Sequence, residues 1–199
     1  MNTKTTNRRF VFPVNTKVAE SKPPMLPSEE FSQWDIHALV DYVVRHYHLN
    51  AKSDIVEIYE LAQKLFTTSC DKHPELAKLV EELFLFYDDL LFHMKKEEQI
   101  LFPGITHLCD KKLHEGAFDY STFGIVNEYS MQMREEHEDI ERRFESFRQL
   151  TNNYKLPDDA NLLYTSLFSK MRQFESEMMQ HMQFESQFLL TKVMQLYEN

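Results

Sequence analysis

Two stretches of the chain repeat one chemical pattern: His93 and Glu97 within "HMKKEEQILFP", and His181 and Glu185 within "HMQFES". Imidazole nitrogens and carboxylate oxygens are metal ligands, and a spacing of four sets both on one helix face, a turn apart. His48 in "DYVVRHYH" and His137 in "REEHEDI" offer two more imidazoles on separate segments. Four histidines and two glutamates are too many donors for one closed tetrahedral zinc and suit two metals. If Glu97 and Glu185 each bridge and each metal takes two imidazoles, every metal has four protein ligands. A shared oxo or hydroxo group makes five, leaving an octahedral ion one open position for a small ligand such as O₂ or NO.

These side chains need elements that bring them together. Four segments with helical spacing are expected, at roughly 34–69, 74–102, 121–152 and 158–196. The inward stripe of the first runs Val40, Val44, His48, Ala51, Ile55, and that of the second runs Phe86, Leu90, His93, Glu97, Ile100. The third gives Met133, His137, Ile140, Phe144, and the fourth Met178, His181, Glu185, Phe188. Every apolar stripe is interrupted at one level by a histidine, and two of them by a glutamate as well. Six polar groups in one core would be strongly destabilising unless something satisfied them together, and a metal centre does so. In an antiparallel bundle the histidines lie at depths of roughly 14–24 Å from a common end, at 1.5 Å per residue, which lets them form one layer.

Breaks between segments have local causes. Pro74 suits a helix start. Pro103, Gly104 and Gly116 predict the longest connection, over "FPGITHLCDKKLHEGAFDYS", and Pro157 precedes two acids able to cap the last helix. Only three Gly and seven Pro in 199 residues leave a body that favours helix. The expected fold is all-α, an up-down-up-down four-helix bundle over 34–199, behind an extended Pro-rich N-terminal tail at 1–33. A net charge of −10 without a large basic cluster excludes an extended nucleic-acid surface. Cys70 and Cys109 lack metal or redox spacing, and the sequence contains neither a signal-peptide pattern nor a stretch that would span a membrane, so a soluble cytoplasmic protein is expected.

The four quoted motifs resemble the hemerythrin-like domain of the RIC family (repair of iron centres, the YtfE/ScdA type), over roughly residues 35–190. The resemblance implies a hemerythrin-like bundle holding two non-haem irons, oxo- or hydroxo-bridged, on His48, His93, Glu97, His137, His181 and Glu185. It further implies a role in nitrosative and oxidative stress: repair of damaged iron–sulfur proteins by iron donation, and binding or reduction of NO. A homodimer is expected by the same analogy. Typical members carry an N-terminal cysteine-containing domain, whereas residues 1–33 contain no cysteine, so steps requiring those thiols are not implied. The fourth motif continues as "ESQFLLTKV" where the family often repeats Phe-Pro. The alternatives are a hemerythrin-type O₂ carrier or sensor, whose usual set of five His, one Glu and one Asp fits this pattern less well, and a structural or adaptor bundle.

Ligating imidazoles usually donate their second N–H to an acceptor. Asp89, one turn before His93, and Glu136, next to His137, are the candidates. His46 is expected to point away from the layer, and Tyr47 and Tyr87 to pack as aromatics near it.

Overall fold

The computed structural model describes residues 31–115 and 119–198. Helix α1 comprises Ile36–Tyr42, a π-helical stretch Val43–His48, and Leu49–Ser69. Helix α2 comprises Glu75–Lys96, a π-helical stretch Glu97–Leu101, and Phe102–Glu115. Helix α3 is Tyr120–Leu150. Helix α4 comprises Leu162–Phe184, a π-helical stretch Glu185–Leu190, and Thr191–Glu198. Together they form the expected up-down-up-down bundle, in which α1 packs on α2 and α4, and α3 on α2.

Side chains on the neighbouring turns fix three of the helix starts. Asp35 accepts from the Ala38 amide at 2.8 Å, Asp119 from those of Ser121 and Thr122, and Asn161 from those of Leu163 and Tyr164. The acids after Pro157 do not cap α4: Asp159 instead turns toward His73 across the bundle end. At the other end the core begins earlier than the expected boundary at residue 34. Phe31 is buried against Trp34, Tyr42, Phe184 and Phe188. The rest of the tail, residues 1–30, lies outside the described residues.

The long connection expected from residue 102 to 121 is mostly helix. Pro103 follows the π-helical stretch, whose wider turn relieves the usual clash of a proline ring with the carbonyl four residues back. Gly104 is there for packing: a Cβ at this position would meet Val126 Cγ2 at 2.6 Å, so only glycine lets α2 approach α3 this closely.

The π-helical stretches also shift which residues face inward. Each adds a residue to a turn and rotates the later stripe by about 100°. Leu39, Val43 and Tyr47 are therefore buried in place of Val40 and Val44, Leu101 in place of Ile100, and Leu189 in place of Phe188. All three shifts begin or end at a residue of the His/Glu layer.

The bundle has two apolar cores. One, built around Ile55, Leu83, Phe86, Phe144 and Phe174, fills the end holding the α1–α2 turn. The other, around Phe31, Leu39, Phe102, Val126 and Phe184, fills the opposite end. His48, His93, Glu97, His137, His181 and Glu185 lie at the boundary between them. Among the described residues no helix is long and apolar enough to cross a membrane.

Candidate metal centre

All six candidate ligands are buried, none more than 6% exposed. They fall into two groups, His48, Glu97, His181, Glu185 and His93, Glu97, His137, Glu185, with the candidate ligand atoms of each group within 4.8 Å of one another. Both carboxylates belong to both groups. Glu97 sets Oε2 3.2 Å from His48 Nε2 and Oε1 3.2 Å from His93 Nε2. Glu185 sets Oε1 3.0 Å from His181 Nε2 and Oε2 3.3 Å from His137 Nε2. Each glutamate thus directs one oxygen to each half.

The cluster has unmet bonding capacity. Among the described residues, His48 Nε2, His93 Nε2, His137 Nε2, both Glu97 oxygens and Glu185 Oε2 are buried without a well-formed hydrogen bond. Inward-facing buried atoms of this kind cost several kcal/mol unless a partner is supplied. Borderline nitrogen donors together with carboxylate oxygens fit iron. The ionisation of the metal-free cluster agrees. Burial pulls the His48 pKa down, but Glu185, Glu97 and Glu98 outweigh it and push it up to about 11. Burial raises the Glu185 pKa, yet His181, His137 and His48 hold its carboxyl well below the usual range. The cavity is arranged to hold positive charge.

Outside the cluster, two carboxylates orient two of the rings. His48 donates its Nδ1 hydrogen to Glu98 at 2.7 Å, and Lys52 donates to the same carboxylate at 2.7 Å. His93 donates Nδ1–H to Glu136 at 2.7 Å, and Lys96 also donates to Glu136. The His48 and Lys52 contacts, offset by burial, hold Glu98 near a pKa of about 2, and His93 and Lys96 do the same for Glu136. Both acids stay ionised, which fixes Nε2 as the inward nitrogen of each ring.

Glu136 therefore stands where the sequence suggested an acceptor, although it serves His93 and not its neighbour His137. Asp89 does not. It is exposed and pairs with Arg143 at 3.2 Å, because the outer nitrogen of His93 faces α3 and lies beyond a short side chain on the preceding turn. Glu98 lies off the apolar stripe and so carries no signal in the spacing; it sits beside Glu97 at the start of the π-helical stretch, with its carboxylate on the outer nitrogen of His48. A lysine one turn after His48 was the available signal. His46 is half-buried, its ring stacked on Tyr42. Tyr47 is buried and stacks on His181 with 4.9 Å between centroids and 13° between planes, whereas Tyr87 is partly buried against the apolar core of the α1–α2 turn end.

The two halves differ in cover. Phe102 lies over His48 and Tyr47 over His181. His93 instead lines a groove of about 530 Å³ between α2 and α3, shared with Phe86, Phe92, Lys96, Glu136 and Arg143.

Comparison with known proteins agrees with this geometry. The profile of the hemerythrin HHE cation binding domain matches residues 39–193, a span that includes all six cluster residues. The chain is 28% identical over 169 residues to the iron-sulfur cluster repair protein DnrN of Neisseria gonorrhoeae, covering 83% of this chain and 98% of that protein. It is 23% identical over 181 residues to the iron-sulfur cluster repair protein YtfE of Dickeya chrysanthemi (strain Ech1591), covering 91% and 76%. A probable iron-sulfur cluster repair protein of Haemophilus influenzae is 26% identical over 156 residues, covering 78% and 64%. The chain belongs to the hemerythrin HHE cation-binding family and carries the hemerythrin-like domain of the RIC type.

Proposed function

We propose that this protein repairs damaged iron–sulfur clusters using two irons held at the His/Glu layer. One iron would take His48 and His181 and the other His93 and His137, with Glu97, Glu185 and an oxo or hydroxo group shared between them. The observation that carries this reading is the direction of the two buried glutamates, each with one oxygen toward each half. The relatives, named as iron-sulfur cluster repair proteins, support the repair role. A bridged pair of irons supplies one-electron redox chemistry, an open position for NO or O₂, and ions that can be released.

The protein's own groups have defined tasks in this account. Glu98 and Glu136 hold Nδ1 of His48 and His93, which aims Nε2 of each ring inward. The two apolar cores exclude water from the layer on both sides. The groove beside His93 gives NO, O₂ or a departing ion a polar way between α2 and α3. Clients are damaged iron–sulfur proteins of the cytoplasm, a reducing compartment in keeping with the free thiols Cys70 and Cys109.

The test is anaerobic: the iron-loaded protein is mixed with an iron–sulfur enzyme inactivated by NO or peroxide, and recovery of that enzyme is followed. Recovery with the wild-type protein and none with His93→Ala is expected. A stable, reversible O₂ adduct with no NO consumption and no enzyme recovery would favour an O₂ carrier instead.

A further inference from the structure

The aromatic residues around the layer are unevenly placed. On the α1 side, Trp34, Tyr42 and Tyr47 form a continuous series of ring contacts that ends on a candidate ligand. Trp34 meets Tyr42 edge-on with centroids 5.6 Å apart, Tyr42 meets Tyr47 at 5.8 Å, and Tyr47 stacks on His181 at 4.9 Å. These are contact distances for aromatic pairs. Tyr47 is buried and Tyr42 and Trp34 are half-buried, so the series climbs from the metal layer toward solvent. Phe31 and Phe184, which are hard to oxidise, pack along it.

Tryptophan and tyrosine are the side chains that surrender single electrons most readily from an aromatic ring, and ring-to-ring contact allows the charge to cross in short steps. Bulk packing needs only apolar rings, and phenylalanine would serve it. Here the three oxidisable rings, including the protein's single Trp, stand in line from the surface to His181. We propose that Trp34, Tyr42 and Tyr47 form a route that carries oxidising equivalents from the metal centre to the surface, sparing the histidine ligands. The route rests on the iron-binding reading of the site.

Hydrogen peroxide is the oxidant considered. Its O–O bond breaks and takes up two electrons and two protons, giving two waters. The electrons come from Trp34 by way of Tyr42 and Tyr47. Trp34 loses two electrons and two protons as an indole C–H becomes C–OH, the oxygen coming from solvent water. The net change is tryptophan plus hydrogen peroxide to hydroxytryptophan plus water.

The experiment uses full-length, iron-loaded protein whose iron content is measured in each sample. Hydrogen peroxide is added anaerobically in water labelled in its oxygen, and peptides are read by mass spectrometry, with Trp34 fluorescence followed in parallel. The expected result is hydroxylation at Trp34 carrying the water label. Tyr47→Phe and Tyr42→Phe, with iron content unchanged, should lower it severalfold and shift oxidation onto His181 and His48. Equal Trp34 oxidation in the wild type and both variants, or oxygen derived from the peroxide, would overturn the route and indicate diffusing hydroxyl radical. A wild-type protein that takes up no iron would overturn the metal reading, and the route with it.

Discussion

Glu98 holds the outer nitrogen of His48 at 2.7 Å, from the residue immediately after one of the two buried glutamates. Glu97 faces the other nitrogen, with Oε2 3.2 Å from His48 Nε2, so two adjacent glutamates at the start of the π-helical stretch serve both nitrogens of one ring. Replacing Glu98 with Ala should lower iron affinity by about 10- to 100-fold, the usual cost of losing such a partner. Asp89→Ala, which removes only a surface pair with Arg143, should leave affinity unchanged. Competition with a calibrated chelator measures both. Equal losses would mean that His48 is oriented by something other than Glu98.

Metal removal should destabilise the fold. Without an ion the layer leaves buried nitrogens and carboxylate oxygens unsatisfied between two dry cores. A ligand that binds only the native state stabilises it by about 2.7 kcal/mol at one hundred times its Kd. Thermal unfolding with ferrous iron should therefore occur at a higher Tm than with chelator present. The difference should disappear in His93→Ala.

Gly104 gives a test of helix packing remote from the ligands. Gly104→Ala should cost about 1–3 kcal/mol, as overpacking does, because the added Cβ meets Val126 Cγ2 at 2.6 Å. The double variant Gly104→Ala, Val126→Ala should recover part of that loss. Urea unfolding of the two variants decides it, and an unaltered midpoint in the single variant would contradict the close approach.

The six residues of the layer could be read from the sequence because the apolar stripes are interrupted at matching depths and the neighbouring residues are good helix formers. Two features could not. The π-helical turns end at His48 and begin at Glu97 and Glu185, and a 3.6-residue period carries no sign of them, so it sets Val40, Val44, Ile100 and Phe188 one position away from the residues that are buried. The helix Phe102–Glu115 was hidden by Pro103 and Gly104, whose local tendency to break helices is overridden by the wide turn before them and by the contact with α3.

At the bundle end away from Phe31, His73 lies between Glu75 at 3.1 Å and Asp159 at 3.0 Å, joining the α1–α2 turn to the segment before α4. Burial lowers its pKa, but the two carboxylates outweigh that and raise it above the ordinary value. A raised histidine contributes stability that is fully present below its unfolded pKa, near 6.5, and lost as pH rises through the folded value. Stability should therefore decline on going from mildly acidic to alkaline pH, and His73→Gln should flatten that decline. Denaturant unfolding across this range, on metal-free protein of both kinds, measures the difference. Parallel pH profiles would contradict the role of His73.

The proposed centre is a pair of irons bridged by Glu97 and Glu185. Anaerobic reconstitution with ferrous iron, removal of excess metal, and oxidation, followed by iron analysis and Mössbauer spectroscopy in an applied field, tests it most directly. Two irons per chain in a spin-coupled diferric pair are predicted, with the coupled pair lost in Glu185→Ala. One iron per chain, or two with independent magnetic behaviour, would contradict the account.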